Sequence, residues 1–80
     1  MTPTIGLIGL GNAGRPMAQR ILGAGFELTV FDIDGVAIDN AVKQGARRAS
    51  TAAAAVRDIT ITLLPSSVEV RQAEIGRAHV

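Results

Sequence analysis

The chain alternates between short apolar runs and stretches in which apolar residues recur every three or four positions, so strands and helices are expected to take turns along it. Thr4-Ile5-Gly6-Leu7-Ile8 is nearly continuous in apolar residues, the pattern of a central parallel strand covered on both faces. Gly6 weakens that strand and points to close packing from above. Over residues 13–24, Ala13, Met17, Ile21 and Ala24 form one stripe while Arg15, Gln19 and Arg20 are directed elsewhere, which predicts a helix. Pro16 is expected in its first turn, where a missing N–H matters least, and Gly25 as its left-handed cap. Residues 27–32, Glu-Leu-Thr-Val-Phe-Asp, alternate and are rich in strand formers. A second helix is predicted after Asp34 as N-cap, with Ile38, Ala41 and Val42 turned inward and Gly45 stopping it.

Residues 46–49 have room only for a short third strand. Ser50 is then placed to cap a short alanine-rich helix over 51–57. Residues 59–64, Ile-Thr-Ile-Thr-Leu-Leu, form a fourth strand that Pro65 ends, and Ser66 or Ser67 is expected to open another helix. Strand, helix and strand in so few residues require parallel pairing with right-handed crossovers. The fold class that follows is α/β, a Rossmann-type doubly wound parallel sheet, partial, of about four strands in the order 3-2-1-4.

The first strand runs into Gly9-Leu10-Gly11-Asn12-Ala13-Gly14, three glycines at G-x-G-x-x-G spacing. Each has a physical reason to be glycine. Gly9 makes the tight turn, Gly11 lets a pyrophosphate lie against the backbone, and Gly14 lets the helix pack closely on the strand it has left. The free N–H groups and positive dipole end of that helix would then face the phosphates, with Leu10, Asn12 and Ala13 contributing backbone N–H groups or contacts. The motif alone is weak, since a glycine-rich turn that binds nothing has the same spacing; the strand before it, the helix after it and an acid downstream give it weight. That acid is Asp32, 18 residues beyond Gly14 (32 − 14) and at the carboxyl end of the second strand. An ionised carboxylate there accepts hydrogen bonds from both ribose hydroxyls and repels a 2′-phosphate. No Lys or Arg occurs between Ile21 and Val42, so NAD is expected over NADP. The plainer reading of Asp32 is a cap for the following turn.

Composition bounds the rest. Eighty residues, 48% hydrophobic and 19% charged, suit one small globular unit that buries only about 60 to 65% of its unfolded surface. Eight basic and seven acidic residues are scattered along the chain, leaving no basic patch for nucleic acid. There is no cysteine, hence neither a disulfide framework nor a thiolate metal site. The apolar start lacks a basic leader region, and Gly9, Gly11 and Gly14 interrupt it before it reaches membrane-spanning length. No membrane partner is expected, and a cytoplasmic protein is the simplest reading. Arg15 can neutralise a phosphate or remain a solvated helix residue, and Arg47 and Arg48 are most simply solvating.

The last residues differ in kind. Glu74-Ile75-Gly76-Arg77-Ala78-His79-Val80 matches the translation of a widely used sequencing-library adapter, GAG ATC GGA AGA GCA CAC GTC. The expected division is therefore residues 1–73 as the N-terminal part of a dinucleotide-binding domain and residues 74–80 as an adapter artefact. The single histidine, His79, falls in that segment, and Lys43 stands alone on a predicted helix surface, so no catalytic constellation is present.

Four segments together resemble the β-hydroxyacid dehydrogenase family, which includes 3-hydroxyisobutyrate dehydrogenase, tartronate semialdehyde reductase and, more distantly, 6-phosphogluconate dehydrogenase. They are Ile5 to Gly11 with Gly14-Arg15-Pro16-Met17-Ala18; Gly25 with Val30-Phe31-Asp32; Gly45-Ala46 with Ala49 and Ser50; and Asp58 to Pro65. The family usually has Met at the position of Ala13 and often an acid at that of Ala53. The resemblance implies a hydride transfer between a nicotinamide cofactor and a small hydroxyacid or its semialdehyde, in a homo-oligomer. It carries Leu63, Leu64 and Pro65 over as cofactor contacts, since the loop after the fourth strand lies at the switch point of the sheet. It also implies that the substrate-binding segment and catalytic lysine lie further along than this chain reaches, leaving this segment inert by itself and its fourth strand an exposed, aggregation-prone edge. A non-catalytic dinucleotide-binding module and an NADPH-linked imine reductase are the alternatives.

Overall fold

The computed structural model describes residues 2–64 and 67–73. Its elements are β1 (Thr4–Ile8), α1 (Gly11–Gly23), β2 (Glu27–Phe31), α2 (Gly35–Lys43), β3 (Arg47–Arg48), a 3-10 turn (Ala53–Ala55), β4 (Ile59–Leu64) and β5 (Ser67–Gln72). They build one sheet in the order β3-β2-β1-β4-β5. The first four strands are parallel, with Ile5 beside Leu28 and Ile59, and Leu7 beside Val30 and Ile61. The register places these apolar residues on one face, and α1 and α2 lie over it. Leu7, Leu28 and Val30 are fully buried there against Ala18, Ile38 and Ala41. Each such side chain contributes about 1.5 to 3 kcal/mol.

Both helices stop by the same device. Gly25, at φ +91°, donates to the Leu22 carbonyl and Phe26 to that of Ile21; Gly45, at φ +115°, donates to Val42 and Ala46 to Ala41. These are Schellman closures, which require a left-handed residue after the last helical turn. The residue after each glycine packs on the core with its carbonyl partner, Phe26 with Ile21 and Ala46 with Ala41. Asp34 caps α2 as expected, its carboxylate accepting the N–H of Val36 at 3.0 Å.

The opposite face of the sheet is closed by the 3-10 turn. A Cβ on Gly6 would lie 1.9 Å from the Ala55 carbonyl oxygen, and Ala55 is completely buried. The packing from above that Gly6 signals is thus backbone against backbone. The helix expected over 51–57 is only this turn; its N-cap is Ala52, and Thr51 rather than Ser50 supplies a side-chain acceptor nearby, taking the N–H of Ala54 at 3.1 Å. So short a segment cannot offset helix nucleation, and the Arg57 N–H is instead taken by the Thr60 hydroxyl.

Three further expectations change. Helix α1 begins at Gly11 rather than residue 13, so Pro16 lies in its second turn, where it removes one intrahelical bond. The helix expected from Ser67 is a strand: Val68-Glu69-Val70-Arg71 alternates with period two, and β5 pairs antiparallel with β4 from Ile59–Gln72 to Leu64–Ser67. The edge of β4 is therefore covered. Its unpaired N–H and C=O groups favour a strand there over a free helix; the cap position at Ser66 lies outside the described residues. Finally, Arg47 and Arg48 are exposed but not merely solvated, since Arg47 pairs with Glu27 at 3.3 Å and Arg48 with Asp39. Exposed pairs of this kind add little stability. Among the described residues no helix is long and apolar enough to cross a membrane.

Replacing Gly6 with alanine should lower the unfolding free energy by about 3 kcal/mol, because a rigid carbonyl occupies the position of the new methyl group. Urea denaturation of the intact protein checks this; a loss below about 1 kcal/mol would mean the 3-10 turn is free to move away.

Candidate functional site

The glycine turn leaves the carboxyl end of β1 and is bolted to the end of β2. Gly9 donates its N–H to the Phe31 carbonyl at 2.8 Å, and Leu10 donates to Asp32 Oδ2 at 2.6 Å. Gly9 has φ +82°, and a Cβ on it would lie 2.7 Å from the Leu63 carbonyl oxygen, so both conformation and space demand glycine. Gly11 has φ +47° with nothing within 4 Å of the position a Cβ would take. Its surroundings are open, as a site approached by a phosphate requires. Gly14 serves close packing: its missing Cβ would lie 3.0 Å from Leu10 Cβ and 3.3 Å from Leu63 Cδ1.

Leu10 is the N-cap of α1 and is buried, and its side chain has no acceptor with which to cap the helix. Gly11, Asn12 and Ala13 occupy the first helical positions, whose N–H groups have no intrahelical acceptor by geometry. No acidic residue lies in that turn, so the positive end of the helix is not neutralised from within. The arrangement can hold an anion.

Asp32 follows β2 directly and is partly buried. Besides the Leu10 N–H on Oδ2, its Oδ1 accepts the N–H of Asp34 at 2.9 Å. The capping role is therefore real, and it coexists with spare capacity: a carboxylate has about four lone-pair sites, of which these two bonds take one on each oxygen. Leu63 joins the site through its carbonyl and side chain against Gly9 and Gly14, whereas Leu64 is half-exposed at the end of β4 on the alternate face. Pro65 lies outside the described residues.

Two features were not anticipated from the sequence pattern. Ile33 is 96% exposed immediately after Asp32, and Val36 is exposed on the first turn of α2. A cleft of about 230 Å³ separates α1 from α2, with Gly11 and Arg15 on one wall and Asn40 and Gln44 on the other. The small residues Ala18, Ala37 and Ala41, which open it, were the available signal.

A parallel sheet whose first strand enters a glycine turn and helix, with an acid closing the second strand, defines a dinucleotide-binding domain of the Rossmann class. The family model for the NAD binding domain of 6-phosphogluconate dehydrogenase matches residues 4–78, and the chain belongs to that family. It is 46% identical over 68 residues to the NAD-dependent L-serine dehydrogenase of Pseudomonas aeruginosa, across 82% of this chain and 23% of that protein. Among solved structures it resembles 3-hydroxyisobutyrate dehydrogenase of Mycobacterium tuberculosis with L-serine, at a TM-score of 0.77 and 39% identity, over 81% of this chain and 23% of the other. A variant imine reductase of Myxococcus stipitatus in complex with NAD+ is similar at a TM-score of 0.76 and 30% identity, over 80% of this chain and 23% of that one. The chain thus spans about a quarter of the length of the curated relatives it matches.

The glycines should separate by experiment. Gly9→Ala should cost about 2 to 3 kcal/mol of stability, from backbone strain and the Leu63 carbonyl together. Gly11→Ala, with open space around it, should cost about 1 kcal/mol yet weaken ADP binding by about tenfold or more. Thermal unfolding and calorimetric titration of the intact protein measure the two effects.

Proposed function

We propose that residues 1–73 hold the adenosine and pyrophosphate of NAD within a dehydrogenase that acts on a small hydroxyacid or its semialdehyde. Bound, the dinucleotide supplies or takes up the hydride; this chain's residues bind and orient it. The observation that carries the reading is Asp32, held by two backbone N–H groups with lone pairs to spare, beside a turn that is open over Gly11. In this assignment the first-turn N–H groups at Gly11, Asn12 and Ala13 face the pyrophosphate, and Asp32 accepts the ribose hydroxyls. Exposed Ile33 and Val36 offer the adenine an apolar surface next to that carboxylate. Leu63, which lies against Gly9 and Gly14, forms the opposite wall, and Leu64 and Pro65 are assigned as cofactor contacts on the strength of the resemblance alone. The hydroxyacid is supported by the similarity to a serine dehydrogenase and to a hydroxyisobutyrate dehydrogenase with L-serine. The substrate pocket and catalytic groups are assigned to the rest of the intact protein, a homo-oligomer on the strength of the resemblance, and the cytoplasm is the simplest compartment for a sequence without cysteine.

The similarity to imine reductases favours a second reading, reduction of a carbon–nitrogen double bond on the same cofactor domain. Turnover of L-serine or 3-hydroxyisobutyrate against a cyclic imine by the intact protein separates the two. Residues 74–80 are proposed to be adapter-derived, and independent sequencing of the genomic frame beyond Ala73 tests that.

The intact protein should bind NADH at least about tenfold more tightly than NADPH, because a 2′-phosphate would meet a carboxylate that two hydrogen bonds hold in place. Titration by cofactor fluorescence measures this; tighter binding of NADPH would overturn the role given to Asp32.

A further inference from the structure

Asp32 contacts the protein in a way that its ribose role does not require. Its Oδ2 reaches back 22 residues in sequence to the Leu10 N–H, while Oδ1 holds the Asp34 N–H on its own side of the turn. Leu10 is 4% exposed and is the residue from which α1 starts. The direction of its N–H is coupled to the direction in which the helix leaves the sheet, and so to where the uncapped first-turn N–H groups point.

We infer that Asp32 is a positioning residue for the phosphate-facing turn as well as the proposed ribose acceptor, so that one carboxylate links the two ends of the adenosine diphosphate site. The bond to Asp34 keeps the carboxylate from swinging away from Leu10. Leu10 is buried and its bond to Asp32 partly so, and a donor left there without its acceptor is costly. A carboxylate can serve both donors because both of its oxygens accept. An amide cannot, since one of its two polar atoms is itself a donor. Whichever way an asparagine turns at this position, its NH2 group faces either the Leu10 or the Asp34 N–H. Substitution at Asp32 aimed at admitting a 2′-phosphate therefore also loosens the turn that holds the pyrophosphate.

The ribose half of this inference rests on the proposed function; the brace does not, and the experiment keeps them apart. In the ligand-free intact protein, the Leu10 amide should exchange with solvent about tenfold or more faster in Asp32→Ala, which removes both acceptor oxygens, than in the unmodified protein, with β1 amides unchanged. Equal exchange at Leu10 would overturn the brace. The unmodified protein should also show a scalar coupling across the hydrogen bond between the Leu10 amide nitrogen and the Asp32 carboxylate carbon. Its absence would overturn the brace even if the variant failed to fold. In binding, ADP and 2′,3′-dideoxy-ADP are compared, the second lacking both ribose hydroxyls. Asp32→Ala should weaken dideoxy-ADP by about tenfold, and ADP by more. Weakened ADP with unchanged dideoxy-ADP would confine Asp32 to the ribose and overturn the positioning role. Failure of the unmodified protein to bind either nucleotide would count against the dinucleotide reading, and the Leu10 amide would still decide the brace.

Discussion

The two hydrogen bonds that tie the glycine turn to the end of β2, Gly9 to the Phe31 carbonyl and Leu10 to the Asp32 carboxylate, are the constraint on which the rest of this structure depends. A chain leaving a parallel strand must reverse onto a face of the sheet within a few residues, and the turn exposes backbone donors as it does so. Here two of those donors are satisfied at the end of the neighbouring strand, and the next ones, at the start of α1, have no intrahelical acceptor. The parallel register of β1 and β2 sets this up, because Ile8 lies beside Phe31 and the two strands end together.

Close packing around that turn is achieved by omission of side chains. Gly9 and Gly14 make room for Leu63 at the end of β4, and Gly6 makes room for the Ala55 carbonyl on the opposite face. The glycines of β1 and its turn thus join three separate segments. Gly11 differs, since it faces open space and no packing partner demands its lack of a side chain. That contrast distinguishes glycines required by the fold from one suited to contact with something outside it. The core beneath is modest, and a cleft lined in part by the small residues Ala18, Ala37 and Ala41 remains between α1 and α2.

Most of the parallel unit was legible because its signals are local. The strand residues of β1 and β4, the Asp34 cap and the left-handed glycines after both helices follow from short-range patterning and backbone sterics. Elements that compete with tertiary alternatives were less legible. The alanine run after Ser50 has helical propensity but too few residues to nucleate, and the carbonyl of Ala55 is pinned against Gly6. Ser67 to Gln72 carries both a plausible helix start and a period-two alternation, and the open edge of β4 decided between them. The start of α1 moved to Gly11, since a turn spanning only Gly9 and Leu10 suffices to reach β2.

The sequence by itself determined the class of fold, the order of its first four strands, the glycine turn and the acid that faces it, because spacing and periodicity encode them within windows of a few residues. Only the tertiary structure decided which atoms those residues use. Asp32 reaches Leu10 across 22 residues, Gly14 packs closely on Leu10 and Leu63, and Thr4 and Asp58 clamp the far ends of β1 and β4 by reciprocal bonds of 3.0 and 3.3 Å. The reason is physical: local patterning limits the conformations available to each segment, but a hydrogen bond or a steric contact between distant residues exists only once the sheet has brought them together.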